Sequence, residues 1–270
     1  MDLILVGPGR AGLALSLRLV DAGHSFVGVL GRDAHVTDVA ATRVESTRLD
    51  WTSDLPKADL LLIAVRDDSI AEVATRLAPV AAPIEAAVHL SGSVSLASLA
   101  VFEETMVGSF HPLQSLPTPE AGAARLEGAW AAVTTTESLL VDRLFTLARS
   151  IGMYPFELDD GAKPLYHAAA AAAANYPLAA LALAEKLFTA AGVPFAAAEP
   201  LVAAVVSNAF AIGPSDALTG PIARGDVGTV RAQIAAIERE TPELVETFKE
   251  LGRVTAAGAT TNDAMNEVLR

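Results

Sequence analysis

Near its start the chain reads Leu3-Ile4-Leu5-Val6-Gly7-Pro8-Gly9-Arg10-Ala11-Gly12. Four consecutive apolar residues are too few for a helix and suit a strand buried on both faces. The residues that follow, Arg10 to Ala22, carry apolar positions at helical spacing, and Ser25–Leu30 is again a short apolar run. The pattern predicts a βαβ unit with a GxGxxG turn between its first strand and its helix. In such a turn the first glycine, Gly7, permits the tight bend. Gly9 lets a pyrophosphate approach the backbone, and Gly12 lets the helix pack against the strand. The helix N-terminus, beginning at Arg10 and Ala11, adds free amides and the positive end of a dipole. The bland alternative is a structural glycine turn. The strand before the motif, the helix after it and the second strand about 20 residues on favour dinucleotide binding.

Working outward, strand candidates recur at Leu60–Val65, Ala86–Leu90, Met106–Phe110, Ala129–Thr134 and Met153–Leu158, with helices at Ser69–Leu77 and Leu139–Ser150. The fold class expected is α/β, a doubly wound and largely parallel sheet. After Asp159-Asp160-Gly161 no strand pattern follows. A boundary is therefore placed at Leu158, with residues 1–158 a nucleotide domain and 159–270 an all-helical domain. The first helix of that second part opens at Pro164 and runs to about Ala191, with Pro177 as a possible kink. Further helices are expected at Pro194–Ala211, Asp226–Glu240, Pro242–Ala257 and Thr261–Leu269. The seven alanines Ala168 to Ala174 leave room for the close approach of another helix or a partner chain.

The 270 residues are 52% hydrophobic and 19% charged, which excludes extensive disorder. A net charge of −13 argues against nucleic acid or an anionic membrane surface as a partner. Without cysteine there is no disulfide, thiolate metal site or Cys nucleophile, and no metal is expected. Asp2 stands where an export signal carries a basic residue, and the Ala-rich run Ala168–Ala184 is weakly apolar for a membrane span. A cytoplasmic protein is the expectation.

The second strand ends in Gly31-Arg32-Asp33. A guanidinium at Arg32 can pair bidentately with a 2′-phosphate, so NADP(H) is favoured. Asp33 keeps NAD(H) open as the second choice. Arg10 and Arg66, together with Ser91-Gly92 after the next strand, fall where a cofactor would pass. Substrate-side candidates are His111 and Gln114, just beyond Met106–Phe110. His24, His35 and His89 have weaker claims. On the first C-terminal helix Lys163, His167 and Asn175 share one face. Reduction of a carbonyl or imine needs a proton donor at the atom that gains negative charge. His167 is the first choice and Lys163 the second, with Asn175 and His111 beside them. The loop Ala217–Asp226 either simply connects two helices, with Asp226 as N-cap, or brings Thr219 or Arg224 to a substrate carboxylate.

Gly7–Gly12, Ser109-Phe110-His111-Pro112-Leu113-Gln114, Tyr166-His167-Ala168 with Asn175, and Gly220-Pro221 with Arg224-Gly225-Asp226 together resemble the Rossmann-like proteins that carry a DUF2520 C-terminal domain. That family is similar to F420-dependent NADP oxidoreductases, pyrroline-5-carboxylate reductases and ketopantoate reductases. The resemblance implies a Rossmann domain followed by a helical domain of the 6-phosphogluconate-dehydrogenase type. It also implies NADP(H), a homodimer and reduction of a small carbonyl or imine acid, for which ketopantoate is one possible substrate. Ketopantoate reductase's catalytic lysine has no counterpart near His167 and Ala168, so either His167 or Lys163 takes its place, or the substrate differs. A catalytically idle NADP-binding sensor or scaffold is the alternative. Convergence of His111, Gln114, His167 and Asn175 would favour the enzyme.

Overall fold

The structure is a computed structural model, and it describes residues 1–258 and 263–270. The chain divides into two units, residues 1–172 and 173–270. Thr261, the expected start of the last helix, lies outside the described residues.

The first unit is built on a seven-stranded sheet: β1 (Asp2–Val6), β2 (Ser25–Leu30), β3 (Ala58–Ile63), β4 (Ile84–His89), β5 (Met106–Leu113), β6 (Trp130–Thr134) and β7 (Tyr154–Glu157). Their order is β2-β1-β3-β4-β5-β6-β7. Beyond β2, Arg48 makes a single parallel bridge to Val29, so a further strand on that side is reduced to one rung. Strands β1 to β5 are parallel, as their continuous apolar runs require. The sheet is largely parallel, as expected, and its one antiparallel pairing is that of β6 with β5. β5 is also longer than Met106–Phe110, because Ser109 to Leu113 pair with β6, and pairing with β4 ends at Ser109. Pro112 cannot donate to a ladder, yet it is accommodated in this second half.

Alternate residues serve the two faces. Leu3, Leu5, Leu60 and Leu62 join one core with α1 (Arg10–Asp21), α2 (Ala34–Arg43) and α5 (Ser138–Ser150). Ile4, Val6, Leu61 and Ile63 join the other with α3 (Ile70–Leu77). On the first face α4 (Pro119–Leu126) lies hard against α1, for a Cβ on Gly122 would stand 2.9 Å from that of Ala14. At β1 the chain departs to opposite sides, to β2 and then back across to β3. That reversal is the switch point at which open α/β sheets bind ligands, outside the carboxyl ends of the strands.

Helix α6 (Lys163–Ala190) continues through Pro177 as one element. Its first ten residues belong to the first unit, so the division by packing falls later than residue 158. The second unit holds the rest of α6 with α7 (Glu199–Ile212), α8 (Val227–Glu240), α9 (Val245–Ala257) and α10 (Asp263–Val268). Leu183, Val230, Ile234, Val245, Met265 and Leu269 form its core. α7 buries no residue in that core. Two stretches, Asp160–Ala190 and Phe195–Ile212, are long and apolar enough to cross a membrane by length and composition.

Candidate functional site

The glycine turn sits at the switch point, and each of its glycines has a distinct reason to lack a side chain. Gly7 adopts φ +86, and a Cβ there would lie 2.9 Å from the Ala64 carbonyl oxygen. A Cβ on Gly12 would stand 2.6 Å from that of Ala64. Around Gly9 there is no atom within 4 Å of such a position, so the middle of the turn is open. α1 has no side-chain cap, which leaves its first amides free to meet an anion. The residues thus fit the pyrophosphate of a dinucleotide. Arg10 is exposed at the helix start, with Ala11 following it.

At the end of β2, Arg32 is exposed and makes no ion pair among the described residues. Asp33 is engaged instead: its Oδ1 accepts the Val36 amide at 2.9 Å as the N-cap of α2. The acid that held the NAD alternative open is a helix cap. Arg66 is paired with Asp68 at 3.0 Å, on the surface.

The carboxyl ends of β4 and β5 and the first turn of α6 bring a denser cluster together, all within the first unit. His111 Nδ1 and the Tyr166 hydroxyl share a hydrogen bond of 2.8 Å. The two rings meet edge-on at 5.5 Å, and the His167 ring lies 6.2 Å from that of His111. Gly92 underlies the imidazole, since a Cβ there would stand 2.8 Å from its atoms. Burial pulls His111 down to about 4, helped by His167, and pushes the Tyr166 hydroxyl up to about 12. Near pH 7 the pair is neutral, a phenol beside an uncharged imidazole.

Behind it Lys163 is 1% exposed. Its ammonium donates to the Val94 carbonyl at 2.7 Å and lies 3.7 Å from the Asp160 carboxylate. Burial draws the ammonium down to about 8, with Asp160 opposing. Asp160 in turn accepts the Ser95 hydroxyl at 2.6 Å and the Leu96 amide at 3.0 Å. His89, fully buried at the end of β4, accepts the Ser91 amide on Nδ1 at 3.2 Å. Its Nε2 has no partner among the described residues. Burial, then the nearby ammonium, lowers His89 to about 3. Ser93 donates to Asp67 at 2.6 Å, tying the end of β3 to the same loop.

Of the expected site residues, His111, Lys163 and His167 therefore come together, with Gly92 beneath them. Ser91 is close in sequence, but its hydroxyl is spent accepting the Ser93 and Val94 amides, both at 3.1 Å. Gln114 is not brought in, because its amide donates to the Arg125 carbonyl at 3.3 Å and accepts the Ser115 amide at 2.8 Å. Asn175, Thr219 and Arg224 belong to the second unit. There Asp226 caps α8, taking the Thr229 amide at 3.0 Å and its hydroxyl at 2.7 Å, as the connecting-loop alternative requires. Tyr166, Asp160 and Asp67 were outside the sequence-derived set. Tyr166 carried a readable signal, since it lies three residues after Lys163 and so on the same helix face. His89 carried another, as the polar end of an otherwise apolar strand.

Residues 1–112 match the model of the Rossmann-like domain, and residues 129–255 match that of DUF2520, a domain of unknown function. The chain is a Rossmann-like, DUF2520 domain-containing protein. No curated protein matches its sequence. Solved structures do. A candidate NADP oxidoreductase from Bacteroides fragilis is 20% identical, with a TM-score of 0.79 over 95% of this chain and 98% of that one. An imine reductase from Streptomyces aurantiacus is 16% identical, with a TM-score of 0.68 over 100% of both chains. A reductive aminase from Aspergillus terreus, in complex with NADPH and ethyl levulinate, is 18% identical, with a TM-score of 0.67 over 98% and 97%. At these identities the likeness establishes the fold.

Proposed function

We propose that the chain is an NADP(H)-dependent reductase of a small carbonyl or imine acid, with 2-oxo acids such as ketopantoate and cyclic imines as the leading substrate classes. The observation that carries this reading is the cluster of His111, Tyr166 and His167 beside buried Lys163, on the sheet edge that also bears the glycine turn. A scaffold or sensor needs no such concentration of proton-bearing groups near the place where a nicotinamide would lie. The oxidoreductase and reductase names of the structural neighbours, and the NADPH held by the reductive aminase, support the same class.

Gly7, Gly9 and Gly12 with the start of α1 would hold the pyrophosphate, and Arg32 the 2′-phosphate. NADPH, when bound, supplies a hydride. His167, exposed at the mouth of the cluster, is the group proposed to deliver the proton to the oxygen or nitrogen that gains the electron pair. The neutral Tyr166–His111 pair offers a hydrogen bond to that atom or to the substrate carboxylate. Lys163, held away from solvent by Val94 and Asp160, fixes the loop around Ser91–Leu96 and contributes positive charge behind the site. Thr219, Arg224 and Asn175 remain proposed contributors from the helical unit. The exposed apolar faces of α6 and α7, which include Tyr176 and Phe210, are proposed to be covered by a second copy of the chain in a homodimer.

The test is oxidation of NADPH by the purified protein across a panel of 2-oxo acids and cyclic imines. Turnover of one compound, lost in His167→Ala and reduced but not abolished in Lys163→Met, is expected. Tight NADPH binding with no turnover on any compound would favour the sensor.

A further inference from the structure

Trp51 carries no recognisable sequence motif, yet its indole reaches back to the turn at the end of β2. Its Nε1–H donates to the Gly31 carbonyl at 2.9 Å. The Arg76 guanidinium covers the ring at 4.4 Å from its centroid, and the indole packs against the apolar core on that face of the sheet. Gly31 itself is closely packed, with no room for a side chain: a Cβ would lie 2.1 Å from Thr37 Oγ1 and 3.0 Å from the Pro8 ring. On the far side of Arg32 the backbone is fixed again. The Asp33 carbonyl accepts both the Thr37 amide at 3.0 Å and the Thr37 hydroxyl at 2.5 Å, while the Asp33 carboxylate caps α2. The chain is thus held immediately before and immediately after Arg32, whose own side chain is exposed.

We propose that Trp51 is a positioning residue for cofactor discrimination, anchoring through the Gly31 carbonyl the backbone from which Arg32 meets a 2′-phosphate. The inference rests on the NADP(H) reading given above. Its physical basis is preorganisation: a guanidinium projecting from a fixed turn loses less conformational freedom on pairing with a phosphate than one on a loose loop. The indole N–H acts on the Gly31 carbonyl, next to Arg32, so its effect should follow the 2′-phosphate.

The test is a double-mutant cycle of Trp51→Phe and Arg32→Ala, read as the Kd of NADPH and of NADH by calorimetry, with thermal unfolding of each variant in parallel. Phenylalanine keeps an aromatic face for Arg76 and removes the N–H donor. NADPH binding should weaken about fivefold in Trp51→Phe, the size expected from one loosened side chain. NADH binding should stay unchanged, and the double variant should bind NADPH no worse than Arg32→Ala alone. Equal losses for both nucleotides, or additive losses in the double variant, would overturn the role of Trp51 and leave the NADP(H) reading standing. A wild-type protein that binds neither nucleotide, or prefers NADH, would overturn both. If Trp51→Phe proves unfolded, Arg76→Met replaces it. Releasing the indole from above should lower NADPH selectivity in the same direction, and an unchanged NADPH-to-NADH ratio there would refute the proposal.

Discussion

Single residues set the chemistry of the cluster, and Gly92 shows how narrow the tolerance is. Any side chain there would collide with the His111 imidazole, 2.8 Å away. Gly92→Ala should cut turnover about 10- to 100-fold through displacement of the ring, while NADPH affinity stays within a factor of about two. Steady-state kinetics beside a binding titration separate the two effects. The buried histidines make a second prediction. His89 and His111, lowered to about 3 and about 4, stay neutral in the folded protein well below 6.5, where the unfolded chain takes up protons. Their contribution to stability is complete above pH 6.5 and is lost as pH falls through that window. Urea midpoints should therefore decline from pH 6.5 to 4, and His89→Asn should flatten the decline. A slope unaltered by the substitution would show that other groups carry it. The glycine turn was legible because φ at Gly7 and packing at Gly12 exclude other residues there. The 2.8 Å contact between His111 and Tyr166 spans 55 residues and left no trace in local spacing.

Elements show where identical local sequence supports two meanings. Asp33 follows β2 where a ribose-binding acid would stand, and it also precedes α2 where an N-cap belongs. Local sequence does not separate these roles, and in the structure the Val36 amide occupies the carboxylate. Asp33→Ser, which keeps a capping oxygen, should leave the Kd of both NADPH and NADH within about twofold, whereas Asp33→Ala should cost about 1 kcal/mol of unfolding free energy. A selective loss of NADH binding in the serine variant would restore the ribose role. The direction of β6 was illegible for a different reason: an apolar run buried on both faces reads the same in either orientation. α2 was missed because Thr37, Ala40 and Ala41 are the residues it buries, a faint stripe beside the leucines of α1.

For the molecule as a whole, the change from strands to helices was plain in composition, but the point of division was not. Lys163 and Tyr166 fasten the start of α6 to the first unit, so packing carries that unit past the last strand. The second unit leaves Phe210 89% exposed on an apolar helix. If a second copy covers it, sedimentation at micromolar concentration should show a dimer and Phe210→Glu a monomer. A wild-type monomer would remove the homodimer.

One residue joins the two directions of the sheet. Ser109 pairs with His89 in the parallel half and with Thr134 in the antiparallel half, on a strand whose two ends serve different neighbours. Neither half can peel away while that rung holds. Local opening should therefore start at β2 or β7 and reach β4 and β5 last, which places the slowest-exchanging amide protons of the first unit beside the proposed proton-transfer groups. The seam of the sheet and His111 thus share one strand, and resistance to unfolding is expected to be greatest beside the imidazole whose placement the proposed chemistry needs.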